Sequence, residues 1–506
     1  MNVNSINTTP YFKTPMQNKN NQNPNFGHKI IMDIGASNPK GSMKLLALKD
    51  NGEELFKIKG FVNDTIKGFN GNEDFLNKIM GIVKDAQTKI LDGAAKKEFK
   101  LKGKDKLLSG LAIFVPGTTC AMNGTERIAF IPNLRDRQNN SLDNIEFDKF
   151  QKDIINGKKN PNGVQATKDF KLCVTKDLGG CGLALARLLA QKGDLNEGDY
   201  IMGVMTGGGF GSVDIKVKDS KVEFETSESS SYLTGNFEAY NFIAKELKQV
   251  ANSADPKSEL QKFIANNNEA IESDVSVLGK LGRQGVSVKS HIKTYFNALG
   301  LHELGKVALQ AGDARIVEDN YMVLNKKTDK EVIKEISKHS EFVNIPEENP
   351  EKVRFKLDEK IVPEEKMKEA RNQAVNSYAN SVSLITINKI NDCVNKVILA
   401  GPFAHGVNRY ISEHPDDFDG AADLPALIKQ KIERNVDEKH VDLPTTKKLM
   451  NLYHLNIICD PSLNFDDNTF AGDLLLGKKL SFVPNRGSWF SVPLDALTDG
   501  KPAKTK

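Results

Sequence analysis

The chain reads as an α/β protein of two lobes, each opened by a strand–glycine turn–strand hairpin, and three observations predict this. The first is the apolar run Lys29–Asp33, followed by Ile34-Gly35-Ala36-Ser37 and a second apolar run, Met43–Leu48. The second is Tyr200–Met205, running through Thr206-Gly207-Gly208-Gly209-Phe210-Gly211-Ser212 into Val213–Val217. The third is the short run Lys171–Thr175, which ends in Lys176-Asp177 and is followed by a Leu/Ala-rich helical stretch, Leu183–Gln191. Glycine backbone without Cβ atoms can approach a phosphate closely. An acid at a strand end, just before a helix, can present its carboxylate to a cleft rather than a core. Together these features suggest phosphoryl transfer.

The elements follow in order. Lys29–Asp33, Met43–Leu48 and Glu54–Phe61 read as a meander, with a hairpin turn at Asp50-Asn51-Gly52. Helical spacing of Phe75, Ile79, Ile82, Val83 and Ile90 predicts a helix over 74–91. Leu111–Val115 reads as a buried strand closed by Pro116-Gly117. Arg127–Ile131 is the next strand, and Pro132-Asn133-Leu134 reads as a projecting loop at its end. Residues 28–170 then make the first lobe, and 171–480 the second. Residues 235–250, 291–312 and 367–390 read as helical, Lys396–Ala400 as a strand ending at Gly401, Gly406–Glu413 as a short helix and Leu455–Asp460 as the last strand. Residues 254–288 are polar and mixed. The 325–366 stretch is dense in Lys and Glu and reads as a charged surface insertion, partly helical. Residues 1–27, rich in Asn, read as a disordered tail, and 481–506 as a second tail.

Composition narrows the function. At about 150 residues per domain, 506 residues suggest two to four domains. With 70 basic and 66 acidic residues, the net charge of +4 argues against nucleic acid or an anionic membrane as partner. No run reaches the ~18 apolar residues of a membrane span. The five cysteines, Cys120, Cys173, Cys181, Cys393 and Cys459, lie far apart, which argues against a disulfide framework or zinc cluster and for a reducing cytoplasm. Two decoys fail. In Gly35 to Ser42 the Lys-Gly order is wrong for a P-loop and a strand follows where a helix is required. Ser212 occupies the third glycine position of a dinucleotide fingerprint.

Taken in order, Asp33-Ile34-Gly35-Ala36-Ser37, Val115-Pro116-Gly117, Pro132-Asn133-Leu134, Lys176-Asp177, Thr206-Gly207-Gly208-Gly209-Phe210-Gly211, Glu238-Ala239-Tyr240 and Val397-Ile398-Leu399-Ala400-Gly401 resemble the ROK (repressor, open reading frame, kinase) sugar kinases of the actin and hexokinase superfamily. The resemblance covers roughly residues 29–477. It implies a two-lobed actin-like (ribonuclease-H-like) ATPase fold with an interlobe cleft, and transfer of the ATP γ-phosphate to a sugar hydroxyl.

By that resemblance Asp177 is the base. Asp33, Gly35 and Ser37 from one lobe and Thr206, Gly207, Gly208 and Gly209 from the other clamp the ATP phosphates. Gly401 borders the adenosine, Asp33 faces Mg²⁺ through water, and Asn133, Glu228 and Glu238 bind the sugar. The implied cofactors are ATP and Mg²⁺, the partner a small sugar, and a homodimer is compatible. The chain departs from the family in having Lys176 where Asn precedes the catalytic Asp. The Gly-Glu-x-Gly-His segment is absent, with Glu228 (less well Glu225) matching its Glu and Ser231 standing where His belongs. The zinc-binding Cys cluster is missing, leaving 229–236 in its place. Each residue also has a plainer reading: Asp177 as a helix N-cap, the glycines as ordinary hairpin turns, Glu228 as part of an exposed loop. A catalytically inactive sugar- or nucleotide-binding relative, with a sensing or scaffolding role, is the alternative function.

Overall fold

The computed structural model describes residues 27–35, 42–50, 52–62, 69–96, 98, 100–101, 106–116, 118–122, 126–138, 140–155, 163–207, 210–228, 287–327, 329–390, 394–437, 454–463, 476, 481–482 and 489–498. Of the first expected tail only Gly27 falls among them. The expected helix over 235–250 and nearly all of the polar 254–288 stretch lie outside them.

The first lobe is a five-stranded sheet ordered β3-β2-β1-β4-β8. Its strands are β1 (His28–Gly35), β2 (Ser42–Lys49), β3 (Glu54–Val62), β4 (Leu108–Val115) and β8 (Ala166–Lys176). β1, β4 and β8 run parallel, while β2 and β3 are antiparallel. The continuous apolar run of β1 follows from its central place. Ile30 and Met32 face one core and Ile31 the other, so the middle of the strand meets no water. Helix α1 (Gly71–Ala95) covers one face with Phe75, Ile79, Val83 and Ile90. Between β4 and β8 the chain adds a small antiparallel sheet of β5 (Thr118–Met122), β6 (Glu126–Arg135) and β7 (Ser141–Glu146), then helix α2 (Phe147–Ile155). Pro132-Asn133-Leu134 therefore lies within β6 rather than in a loop, where the pairing with β7 is irregular.

The second lobe repeats the arrangement. Its sheet runs β16-β15-β9-β10-β11-β18-β17. β9 (Tyr200–Thr206), β10 (Phe210–Lys218) and β11 (Lys221–Glu228) form the antiparallel meander. β15 (Lys396–Ala400) and β16 (Asn456–Ile458) lie parallel on the far side of β9. Both sheets thus have a meander followed by two parallel strands flanking its first strand. This duplicated ribonuclease-H-like order is the two-lobed actin-like α/β fold.

Three expectations are corrected. The strand ending at Lys176 belongs to the first sheet, so the change of lobe falls after it, not at 171. The 481–506 stretch is not simply a tail. β17 (Ser481–Phe482) and β18 (Trp489–Pro493) extend the second sheet beyond β11, and Leu497 is fully buried. The 325–366 stretch is more than a charged surface insertion. With α4 (Val288–Ala298), α5 (His302–Ala311), α6 (Arg315–Glu318) and the start of α8 (Glu364–Ile390), it builds a subdomain with its own core. β12 (Tyr321–Asn325), β14 (Lys352–Leu357) and β13 (Phe342–Ile345) form its antiparallel sheet, joined through α7 (Lys330–Ile336). In β14 the charged Lys352, Arg354 and Lys356 alternate with buried Val353, Phe355 and Leu357. One face of the strand is core and the other is wet.

Helix α3 (Asp177–Lys192) joins the lobes and is buried almost all round, as a helix between two sheets must be. The helix begins earlier than the expected Leu183–Gln191 stretch, so that Gly179 and Gly180 belong to its first turns. A Cβ on Gly180 would strike the Phe114 ring of the first sheet, and one on Gly182 would strike Val213 of the second. The two glycines allow α3 to press on both sheets at once.

Candidate active site

Asp33 and Asp177 share one edge of the first sheet. Register pairs Asp33 with Phe114 and Phe114 with Thr175, one row across three parallel strands near their C-terminal ends. Two strand spacings of about 4.8 Å set Asp33 roughly 10 Å from Thr175. Asp177 follows two residues on. The crevice beyond the carboxyl ends of parallel strands is where α/β sheets bind ligands. Asp33 is 9% exposed and lies opposite Lys44 on β2, with Lys44 Nζ 3.8 Å from its Oδ2. Lys44 was not among the residues singled out from sequence. Its signal is the hairpin register, which places a cation across from Asp33 at the mouth of the first turn. Gly35 ends β1, paired with Ser42, whereas Ser37 lies outside the described residues.

Asp177 is not the N-cap of α3. Lys176, extended at ψ 142° and 5% exposed, occupies that position. Asp177 is the first helical residue, and its Oδ1 accepts the Leu178 N–H at 2.8 Å. A carboxylate in the first turn is favoured by the partial positive charge of the exposed N–H groups. The side chain is only partly buried, unlike the nine residues after it, of which Leu183 and Leu185 are wholly enclosed.

The second lobe brings its hairpin to the same place. Gly211 lies so close to Leu178 that a Cβ there would sit 2.6 Å from Leu178 Cδ1. The base of the glycine hairpin therefore rests on the residue next to Asp177. Glu228, the last residue of β11, is the cross-strand partner of Gly211. It ends a strand beside the candidate base rather than lying in a loop. Thr206 ends β9, and Gly207 is exposed beyond it. The Thr206 hydroxyl is buried against Tyr378 at 3.0 Å, so this side chain anchors the hairpin rather than pointing outward. Gly401, at φ 101° and ψ 157°, caps α9 (Pro402–Glu413) in a conformation reserved for glycine. A Cβ on Gly401 would lie 3.3 Å from the Thr206 carbonyl oxygen, so the two glycine turns of this lobe abut. Gly208, Gly209 and Glu238 lie outside the described residues, and Asn133 is placed only by its backbone in β6.

Among the described residues no group of three or more His, Cys, Asp or Glu could hold a metal ion. Asp33, one carboxylate at a strand edge, fits Mg²⁺ carried on phosphate oxygens and water, because that ion keeps most of its waters and needs no protein cage. Among the described residues, no helix is long and apolar enough to cross a membrane.

No family model matches the chain, and no curated protein matches it. Solved structures do align with it. A glucokinase from Balamuthia mandrillaris, in complex with glucose, is 11% identical over 89% of this chain and 94% of its own, with a TM-score of 0.46. A hexokinase from Schistosoma mansoni with glucose is 11% identical over 90% and 86%, at 0.42. A ROK-family glucokinase from Streptomyces griseus with glucose and AMPPNP is 12% identical over 88% and 99%, at 0.37. These likenesses are of overall fold and decide nothing about the reaction.

Proposed function

We propose that the chain is an ATP-dependent sugar kinase that transfers the γ-phosphate to a sugar hydroxyl with Asp177 as base. One observation supports it most. Asp177, the base of the glycine hairpin at Gly211 and the end of β11 at Glu228 meet at α3, on the edge that also carries Asp33. Phosphoryl transfer has a loose transition state, so holding the reactants in line and neutralising charge supply most of the catalysis. Asp177 holds the acceptor hydroxyl and takes its proton. Backbone N–H groups of the two hairpins face the phosphates, and Lys44 stands beside Asp33 to balance their charge. Mg²⁺ bound by the phosphates supplies further neutralisation. Carboxylates such as Glu228 and Glu238 suit a sugar because each accepts more than one hydroxyl hydrogen. Gly401 leaves room for the nucleoside beside the Thr206 backbone.

The test is ADP release measured across hexoses and amino sugars, in wild type and Asp177→Asn. The Asn keeps the oxygen that accepts from Leu178, so the fold survives. Loss of the proton acceptor lowers turnover by ~10²–10⁴, with KM for ATP kept, the sign of an interaction made in the transition state. Full sugar phosphorylation by Asp177→Asn would refute the assignment. ADP release by no sugar, with Mg-ATP still bound, would favour the inactive binding relative, whose buried Lys176 cation beside Asp177 is its main support.

A further inference from the structure

The glycine hairpin of the second lobe is held from below by two helices of the subdomain. At Thr206 the side-chain hydroxyl meets Tyr378 OH at 3.0 Å, and Tyr378 is wholly buried on α8. At Gly207 the carbonyl accepts the Val288 N–H at 3.0 Å, the first helical amide of α4. The helices are locked to each other just beneath these bonds. One turn into α4, His291 donates to the Ala374 backbone, one turn before Tyr378 on α8. Phe403 of α9 closes the cluster. It packs edge to face on Tyr378 at 5.1 Å and on His291 at 4.7 Å, two residues after Gly401. Away from the hairpin both helices run into the subdomain core, α4 through Ile292, Tyr295 and Phe296, and α8 through Met367, Ala370 and Ala374.

We propose that Tyr378 is a positioning residue for nucleotide binding, and that the subdomain braces the phosphate-facing turn through α4 and α8. This rests on the reading of that turn as the ATP site. A run of three glycines loses more conformational freedom on ordering than any other sequence. Fixing the two residues at its base reduces what is left to lose when a phosphate docks, which is how preorganisation raises affinity. Tyr378 touches no substrate. It acts through Thr206.

The test is Mg-AMPPNP affinity by calorimetry, which needs no sugar. Tyr378→Phe keeps the ring against Phe403 and removes only the hydroxyl. Losing one buried neutral hydrogen bond is expected to weaken AMPPNP binding by about 3- to 10-fold, and to raise KM for ATP by the same factor with kcat within about twofold. Thr206→Val, which removes the other partner of the same bond, weakens binding like Tyr378→Phe. The double variant is no worse than either alone, because both remove the same bond. A lowered Tm with unchanged AMPPNP affinity in Tyr378→Phe would show a purely structural tyrosine and overturn the inference while leaving the kinase reading intact. Failure of the wild type to bind AMPPNP would overturn the kinase reading and this inference with it.

Discussion

Glu318 makes the junction of the subdomain and the second lobe sensitive to pH. Its carboxyl lies against Gly406 of α9, where an added Cβ would sit 2.8 Å from Oε1. Burial, with Asp319 and Asp313 nearby, raises it from an ordinary 4.5 to about 7, against the opposing pull of Arg409 and Arg315. The sign follows from linkage. Below pH 4.5 the group is protonated whether the chain is folded or not. Between 4.5 and 7 the unfolded chain releases the proton and the folded one keeps it, so stability falls as pH rises. Above 7 the loss is complete. At about 1.4 kcal/mol per pH unit, the difference reaches about 3 kcal/mol. Glu318 is partly exposed, so solvent screening reduces this to about 1–3 kcal/mol. Glu318→Gln, which mimics the neutral acid, should match the wild type at pH 4.5 and be more stable by that amount at pH 8.5. Hydrogen exchange of the α9 amides reads the local opening, and a thermal melt reads the same sign as a shift of a few degrees. An equal difference between variant and wild type at both pH values would refute the reasoning, since a packing effect does not titrate.

His291 predicts the opposite slope. Burial holds it down to about 3, so its contribution is present above pH 6.5 and lost as pH falls towards 3; His291→Phe should flatten the acid side of the stability curve, read by urea denaturation at pH 4 and 7. Gly182→Ala forces a Cβ into Val213 between the lobes, and the overpacking should cost about 1–3 kcal/mol in equilibrium unfolding. Ending the chain at residue 480 removes β18, which pairs with β11 from Lys221 to Glu225; the bared edge should lower Tm and promote association, seen by light scattering.

Much of the architecture is legible in the sequence because its signals are local. Continuous apolar runs mark β1, β4, β9 and β15, each buried on both faces, and glycine turns mark the hairpins. The strand–helix junction places Asp177, since an acid there needs only its neighbours to define it. The subdomain is a different case. Its core residues are spaced among lysines and glutamates at the period of exposed-faced strands and short helices, so no run announces them; only the pairing of β12, β14 and β13 shows that Val353, Phe355 and Leu357 share a face with Met322 and Leu324. The C-terminal strand is likewise visible only through its partner β11.

What the sequence determined is the order of elements and the chemistry each turn can offer: bare backbone at Gly207 and Gly401, carboxylates at Asp33 and Asp177. What only the tertiary structure decided is which of them meet. Leu178, next to Asp177, meets the second lobe at Gly211 because Gly180 and Gly182 let α3 press on Phe114 and Val213 together. Thr206 turns inward because Tyr378, 172 residues away, offers its hydroxyl there. Such contacts depend on the register of strands and the depth of helix packing. These are set by the sum of many close-packed neighbours and are carried by no single stretch of the chain.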